Sequence, residues 1–186
     1  MGSLLLTLIS LIVGYCLSAI KDCFFDERKR IKKANYLAIE IVCMLEMFID
    51  GCVKVTMDDG LCCGQYNSDG MKESQVKAPE FKPRSIDVEW ESISPKIMYK
   101  ILVLPIKIKH AISLIDFLGL EIASPPDFEE FFEERQYQYA LLGIEALDIV
   151  SSLCECSDIP QKEIFKDYLP RLNETKERIE SNRKKY

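Results

Sequence analysis

MGSLLLTLISLIVGYCLSAI (residues 1–20), running directly into KDCFFDERKRIKKANYLAIEIVCMLEMFIDGCVKVTM (residues 21–57), is the stretch that decides how the rest of the chain is arranged. Its first part holds no Asp, Glu, Lys, Arg or His, and Leu4, Leu5, Leu6, Leu8, Ile9, Leu11, Ile12, Val13, Leu17 and Ile20 are strongly apolar. As a helix this run rises about 30 Å, the hydrocarbon thickness of a bilayer. A cleaved signal peptide would need a basic region before the run and a small-residue cleavage site after it. No Lys or Arg precedes it, and Lys21-Asp22-Cys23-Phe24-Phe25 follows, so an uncleaved transmembrane anchor over 1–20 is expected.

Charge sets the expected orientation. Lys21, Arg28, Lys29, Arg30, Lys32 and Lys33 flank the run, and positive residues stay on the cytoplasmic side. The pattern predicts a single-pass membrane protein with its N-terminus outside and residues 21–186 in the cytoplasm. The same basic cluster is suited to anionic lipid headgroups, with Phe24 and Phe25 close to the interface. Ser10, Gly14 and Ser18 recur every four residues, a small-residue stripe on which two membrane helices could pair as a homodimer.

From Lys21 to Asp50 there is neither Gly nor Pro. Ile31, Ala34, Leu37, Ala38, Ile41, Leu45, Phe48, Cys52 and Val55 recur at helical spacing, so the anchor is expected to continue as one long amphipathic helix. Asp58-Asp59-Gly60 stops it near Met57. Residues 58–94 are broken by Gly60, Gly64, Asn67, Gly70, Pro79 and Pro83, and read as a long irregular loop, either a lid or a packed cover. Ile86-Asp87-Val88-Glu89-Trp90 alternates like a strand but has no evident partner, and Trp90 should pin the loop with its ring buried.

Ser94-Pro95 is a capping Ser with Pro at the first helical position. It opens a second helix with apolar residues from Ile97 to Leu118 and a kink expected at Pro105. After Ser124-Pro125-Pro126, Asp127 is expected to cap a third helix over 127–154. A fourth follows Pro160, should bend or split at Pro170, and frays at Arg183-Lys184-Lys185. The fold class expected is all-α: a transmembrane helix continuing into an antiparallel bundle with one long loop.

The chain has 186 residues, formal net charge −6, 48% hydrophobic and 29% charged residues, which fits one globular domain and gives no basic face for nucleic acid. Its eight cysteines include Cys62-Cys63 and Cys154-x-Cys156. These lack the Cys-x-x-Cys knuckles of zinc sites, and in a cytoplasmic domain they read as free thiols. Cys16 and Cys23 at the membrane edge are candidates for palmitoylation. Asp127, Glu129, Glu130, Glu133 and Glu134 crowd one helix start, but no Glu-x-x-His accompanies them, and acids in a first turn complement the helix dipole without metal. His110, the only histidine, lies beside Lys107 and Lys109 with no relay in the sequence around it. Phe128, Glu129, Glu130, Phe131, Phe132, Glu133 and Glu134 make an aromatic and acidic segment that could dock a partner wherever its aromatic edges stay exposed.

Tyr36-Leu37-Ala38-Ile39, Val42-Cys43, Asp58-Asp59-Gly60 and Glu129-Glu130-Phe131-Phe132-Glu133-Glu134-Arg135-Gln136-Tyr137 resemble segments of small bacterial single-span membrane proteins that carry no assigned function. The resemblance spans most of the chain. It implies an inner-membrane setting and transfers no activity and no site residues. The function expected is therefore a non-enzymatic, membrane-anchored interaction or scaffold module that needs no cofactor and takes membrane lipid, its own copy or another protein as partner. The alternatives are a metal-binding or hydrolytic membrane-associated enzyme and a small membrane-acting toxin or defence component.

Overall fold

Four helices carry the chain: α1 Gly2–Thr56, α2 Pro95–Glu121, α3 Glu129–Ser157 and α4 Ile164–Arg183. They are seen in a computed structural model that describes residues 2–157, 159–160 and 164–184, without the side chains of 2–13, 16, 19 and 164. Among the described residues there is no strand, only an isolated bridge between Cys62 and Gln65. The all-α expectation holds. No helix among the described residues is long and apolar enough to cross a membrane, and most side chains of the anchor expected over 1–20 lie outside the described set.

α1 is one helix of 55 residues, as the uninterrupted sequence requires, and it runs on through Gly51. Only its second half belongs to the bundle. Leu37, Ala38, Ile41, Leu45, Phe48, Ile49, Cys52 and Val55 are buried, whereas every residue from Ile20 to Lys33 is exposed. The first half projects as a free stalk.

α2 begins as its sequence predicts: the Ser94 hydroxyl accepts the Ile97 N–H at 3.4 Å, with Pro95 in the first turn. It buries Ile97, Ile101, Leu104, Ile108, Ala111 and Ile115 and continues through Pro105. α4 likewise remains one helix through Pro170, with Phe165, Leu172 and Ile179 buried. Leu169, one residue before Pro170, is exposed. The tertiary contacts on either side of Pro170 outweigh the one hydrogen bond the ring removes.

The helix directions refine the antiparallel expectation: each of the three main helix pairs is antiparallel, and all three share α3. The start of α2 and the end of α3 share a small cavity with Arg30, Ile31 and Ala34 of α1. The start of α3 meets the end of α2 where Phe131 touches Gly119. Arg183 at the end of α4 pairs with Glu133 and Glu134 at the start of α3. Thus α1, α2 and α4 run one way, and α3 alone runs against them. It packs on all three.

Because α1 and α2 run the same way, the chain between them needs a return path, and this accounts for the long loop. The part of α1 inside the bundle is about 33 Å long, and the chain must travel back that far before α2 can start. Residues 57–94 form a strap that does so. Pro79 lies on Gly51, where any Cβ would come within 2.5 Å of the proline ring. Phe81 then stacks on Phe48 with centroids 5.9 Å apart, and Glu89 reaches Lys33 at 2.7 Å. Ile86, Val88 and Trp90 pack against the core while Asp87 and Glu89 face water. The strand-like alternation is therefore an extended segment burying one face on helices. Trp90 is half-buried rather than enclosed.

Candidate functional site

The end of α1 away from the stalk is where chemistry gathers. Asp58 follows the last turn, and its side chain is only 1% exposed. Oδ1 accepts the N–H of Gly60 at 3.1 Å, and Oδ2 accepts those of Gln75 at 3.0 Å and Val76 at 2.9 Å. Arg135 on α3, 6% exposed, donates from Nη1 to Oδ2 at 2.8 Å and from Nη2 to the Val76 carbonyl. Gln136 adds a bond from Nε2 to the Asp58 carbonyl at 2.9 Å. Burial alone would raise the Asp58 pKa, but the bonds from Val76, Gly60, Arg135 and Gln75 outweigh it and hold the carboxyl below its usual value. Gly60 turns the chain with φ +79°, and the Phe132 ring fills the space where a side chain would stand. The start and middle of the strap are thereby clasped to α3.

This clasp has no role in the sequence expectations, although a signal for it exists. Phe132, Arg135 and Tyr139 share one face of α3 at helical spacing, and a guanidinium between two buried aromatics requires a buried acceptor. Which acid supplies it depends on the fold. Every oxygen of Asp58 is engaged by structural donors, so the pair serves architecture rather than reaction chemistry.

Beside the clasp lies a groove of about 540 Å³. Lys72, Glu73 and Ser74 of the strap form one side, Asp116, Gly119 and Leu120 of α2 another, and Phe128, Phe131 and Phe132 of α3 supply aromatic surface. Phe131 and Phe132 meet edge to face, centroids 5.1 Å apart at 86°. Phe128 sits at φ +48° just before α3 and its carbonyl accepts the Phe132 N–H. Asp127 does not cap the helix as expected. Its carboxylate turns to the strap, accepting the Tyr66 hydroxyl at 2.8 Å and pairing with Lys72 at 3.2 Å, and both hold its pKa down, Tyr66 more strongly.

The expected docking segment is divided by its surroundings. Phe132 is buried beneath Gly60, while Glu133 and Glu134 bind Arg183, whose guanidinium also lies 4.6 Å over the Tyr137 ring. Phe128 and Phe131 stay half-buried at the groove, and Glu129 and Glu130 are exposed. Within the basic cluster, Arg30 pairs with Glu27 at 2.9 Å and Lys33 with Glu89, while Lys21 lies over the Phe25 ring at 5.8 Å. Arg28, Lys29 and Lys32 are exposed on the stalk. Gly14 and Ser18 are also exposed, with nothing within 4 Å of a Cβ at Gly14; the side chain of Ser10 lies outside the described residues.

A four-cysteine zinc site is ruled out by placement. Cys62 and Cys63 lie on the strap beside the start of α3, Cys154 and Cys156 at its other end, and a helix of that length separates them by roughly 40 Å. Among the described residues no group of three or more His, Cys, Asp or Glu is arranged to hold a metal ion. His110 is exposed on α2.

No family model, curated protein or solved structure matches this chain. The groove joins aromatic and aliphatic area to the carboxylates of Glu73 and Asp116, and Lys72, the one cation among its described lining residues, is paired with Asp127.

Proposed function

We propose that this protein is a membrane-anchored adaptor: residues 1–20 cross the inner membrane, α1 continues as a stalk, and the cytoplasmic bundle presents its far end to another protein. The observation that carries the reading is the stalk itself. Tyr15, Leu17, Ile20, Phe24 and Phe25 are more than half exposed on the stretch of α1 before the bundle, and an apolar helical surface of that kind calls for a second phase. The basic flank supports the cytoplasmic orientation.

The stalk also fixes a distance. From Ile20 to Ala34 an upright helix rises about 20 Å, whereas the headgroup layer of one leaflet is only about 5–8 Å deep. Lys21 lies among headgroups in that pose. Arg28, Lys29 and Lys32 reach them only when the helix tilts, so the cluster acts on inclination as well as on topology.

The test is fractionation of cells producing the intact chain or one lacking residues 1–20. The intact chain should sediment with membranes and resist carbonate extraction, and the shortened chain should not. Protease added to spheroplasts should leave the bundle intact. An intact chain released by carbonate, or a bundle cleaved from outside, would refute the anchor or its orientation.

A further inference from the structure

We infer that the groove between the strap, the end of α2 and the start of α3 binds a cationic peptide segment with large apolar anchors, supplied by another cytoplasmic protein; this rests on the adaptor reading and names the chemistry of its partner. The apolar component is displayed where no described residue covers it: Leu120 lines the groove beside the half-buried Phe128 and Phe131 and is 83% exposed, and Phe117 and Ile122, at the same end of α2, are 54% and 50% exposed. Such a cluster of aromatic and aliphatic surface at a groove is the usual seat of binding energy.

The charge around it selects the occupant. Asp116 and Glu73 line the groove, and Glu121, Glu129 and Glu130 stand exposed beside it, while Lys72 is held by Asp127. An anionic segment, nucleic acid or an anionic membrane would meet like charge there, whereas Lys or Arg flanking the apolar anchors would be attracted and steered inward. The stalk, with Lys21, Phe25, Arg28 and Lys29, has this chemistry, but it cannot be the occupant within one membrane. The groove lies at the far end of α1, roughly 50 Å along the helix from Ile20, while the stalk of any neighbouring copy stays at the bilayer. A separate protein remains.

The experiment uses the full chain in detergent micelles and two labelled synthetic probes with the same Leu and Phe residues, one bearing Lys and the other Glu at every remaining position. Fluorescence anisotropy should show saturable binding of the Lys probe that weakens with salt, and at least about tenfold weaker binding of the Glu probe. Leu120→Ala, and separately Glu129→Lys with Glu130→Lys, should each weaken the Lys probe about tenfold or more. These side chains are exposed, so helical circular dichroism should be unchanged. Equal binding of both probes, or binding indifferent to all three substitutions, overturns the assignment of chemistry. No binding of either probe overturns the groove as a docking site while leaving membrane anchoring to stand on fractionation. Self-association of the full chain that the same substitutions abolish assigns the groove to a second copy and overturns the proposal.

Discussion

Replacing Asp58 with alanine should loosen the strap before it loosens the helices. The carboxylate is the shared acceptor for Gly60, Gln75, Val76 and Arg135. Its removal leaves those three backbone N–H groups and one guanidinium without that acceptor, at a site where the side chains are 1% and 6% exposed. Breaking a buried pair from one side costs about 3–5 kcal/mol, because the surviving charge stays desolvated. For a chain of this size that corresponds to a fall in melting temperature of roughly 10 °C. Arg135→Ala should cost less, since Asp58 keeps its backbone donors. The assay is thermal unfolding of the full chain in detergent, with hydrogen exchange resolved over 58–76. The Asp58 pKa is lowered on folding, so its stabilisation is complete above the unfolded value near 3.8 and is lost as pH falls through the lower folded value. Wild type and Asp58→Ala should therefore converge in stability only below about pH 4. A loss under about 1 kcal/mol at pH 7, or unchanged exchange at Gln75 and Val76, would refute the view that the clasp holds the strap.

Three further outcomes follow from the packing. Tyr139→Phe should leave stability unchanged or raise it by up to about 1 kcal/mol, because the hydroxyl is buried with no hydrogen-bond partner among the described residues. Burial, chiefly, pushes the Tyr139 pKa up to about 12, so wild type should lose stability as pH rises from about 10 towards that value and the phenylalanine variant should lose less. Phe81→Ala should cost about 3–5 kcal/mol in chemical denaturation, since its ring is buried against Phe48 at the centre of the strap. Maleimide should label Cys43, Cys62, Cys63 and Cys156 in the native chain but reach Cys52 only on unfolding, because that thiol is fully buried and burial holds its pKa well above the usual value.

The candidate site was legible only in pieces. Phe128 to Glu134 stood out because aromatic and acidic residues seldom crowd one helix start. Sequence could not divide them into the Phe132 that seals Gly60, the Glu133 and Glu134 that hold Arg183, and the Phe128, Phe131, Glu129 and Glu130 left at the groove. That division depends on which neighbour reaches each side chain first, and the neighbours come from strap residue 60, from α4 and from the end of α2.

The sequence by itself determined the helices. An apolar period with neither Gly nor Pro from Lys21 to Asp50 leaves the backbone no better way to satisfy its hydrogen bonds than a long α1, and Ser94-Pro95 starts α2 through a local cap. These are decisions made within a few residues of chain. Direction and closure were decided only by tertiary structure. That α2 packs on α3 in the same sense as α1, that residues 57–94 travel back between them, and that Asp58 meets Arg135 across 77 positions all depend on which apolar faces cover one another. Periodicity records that a face is apolar, but not which face it will meet.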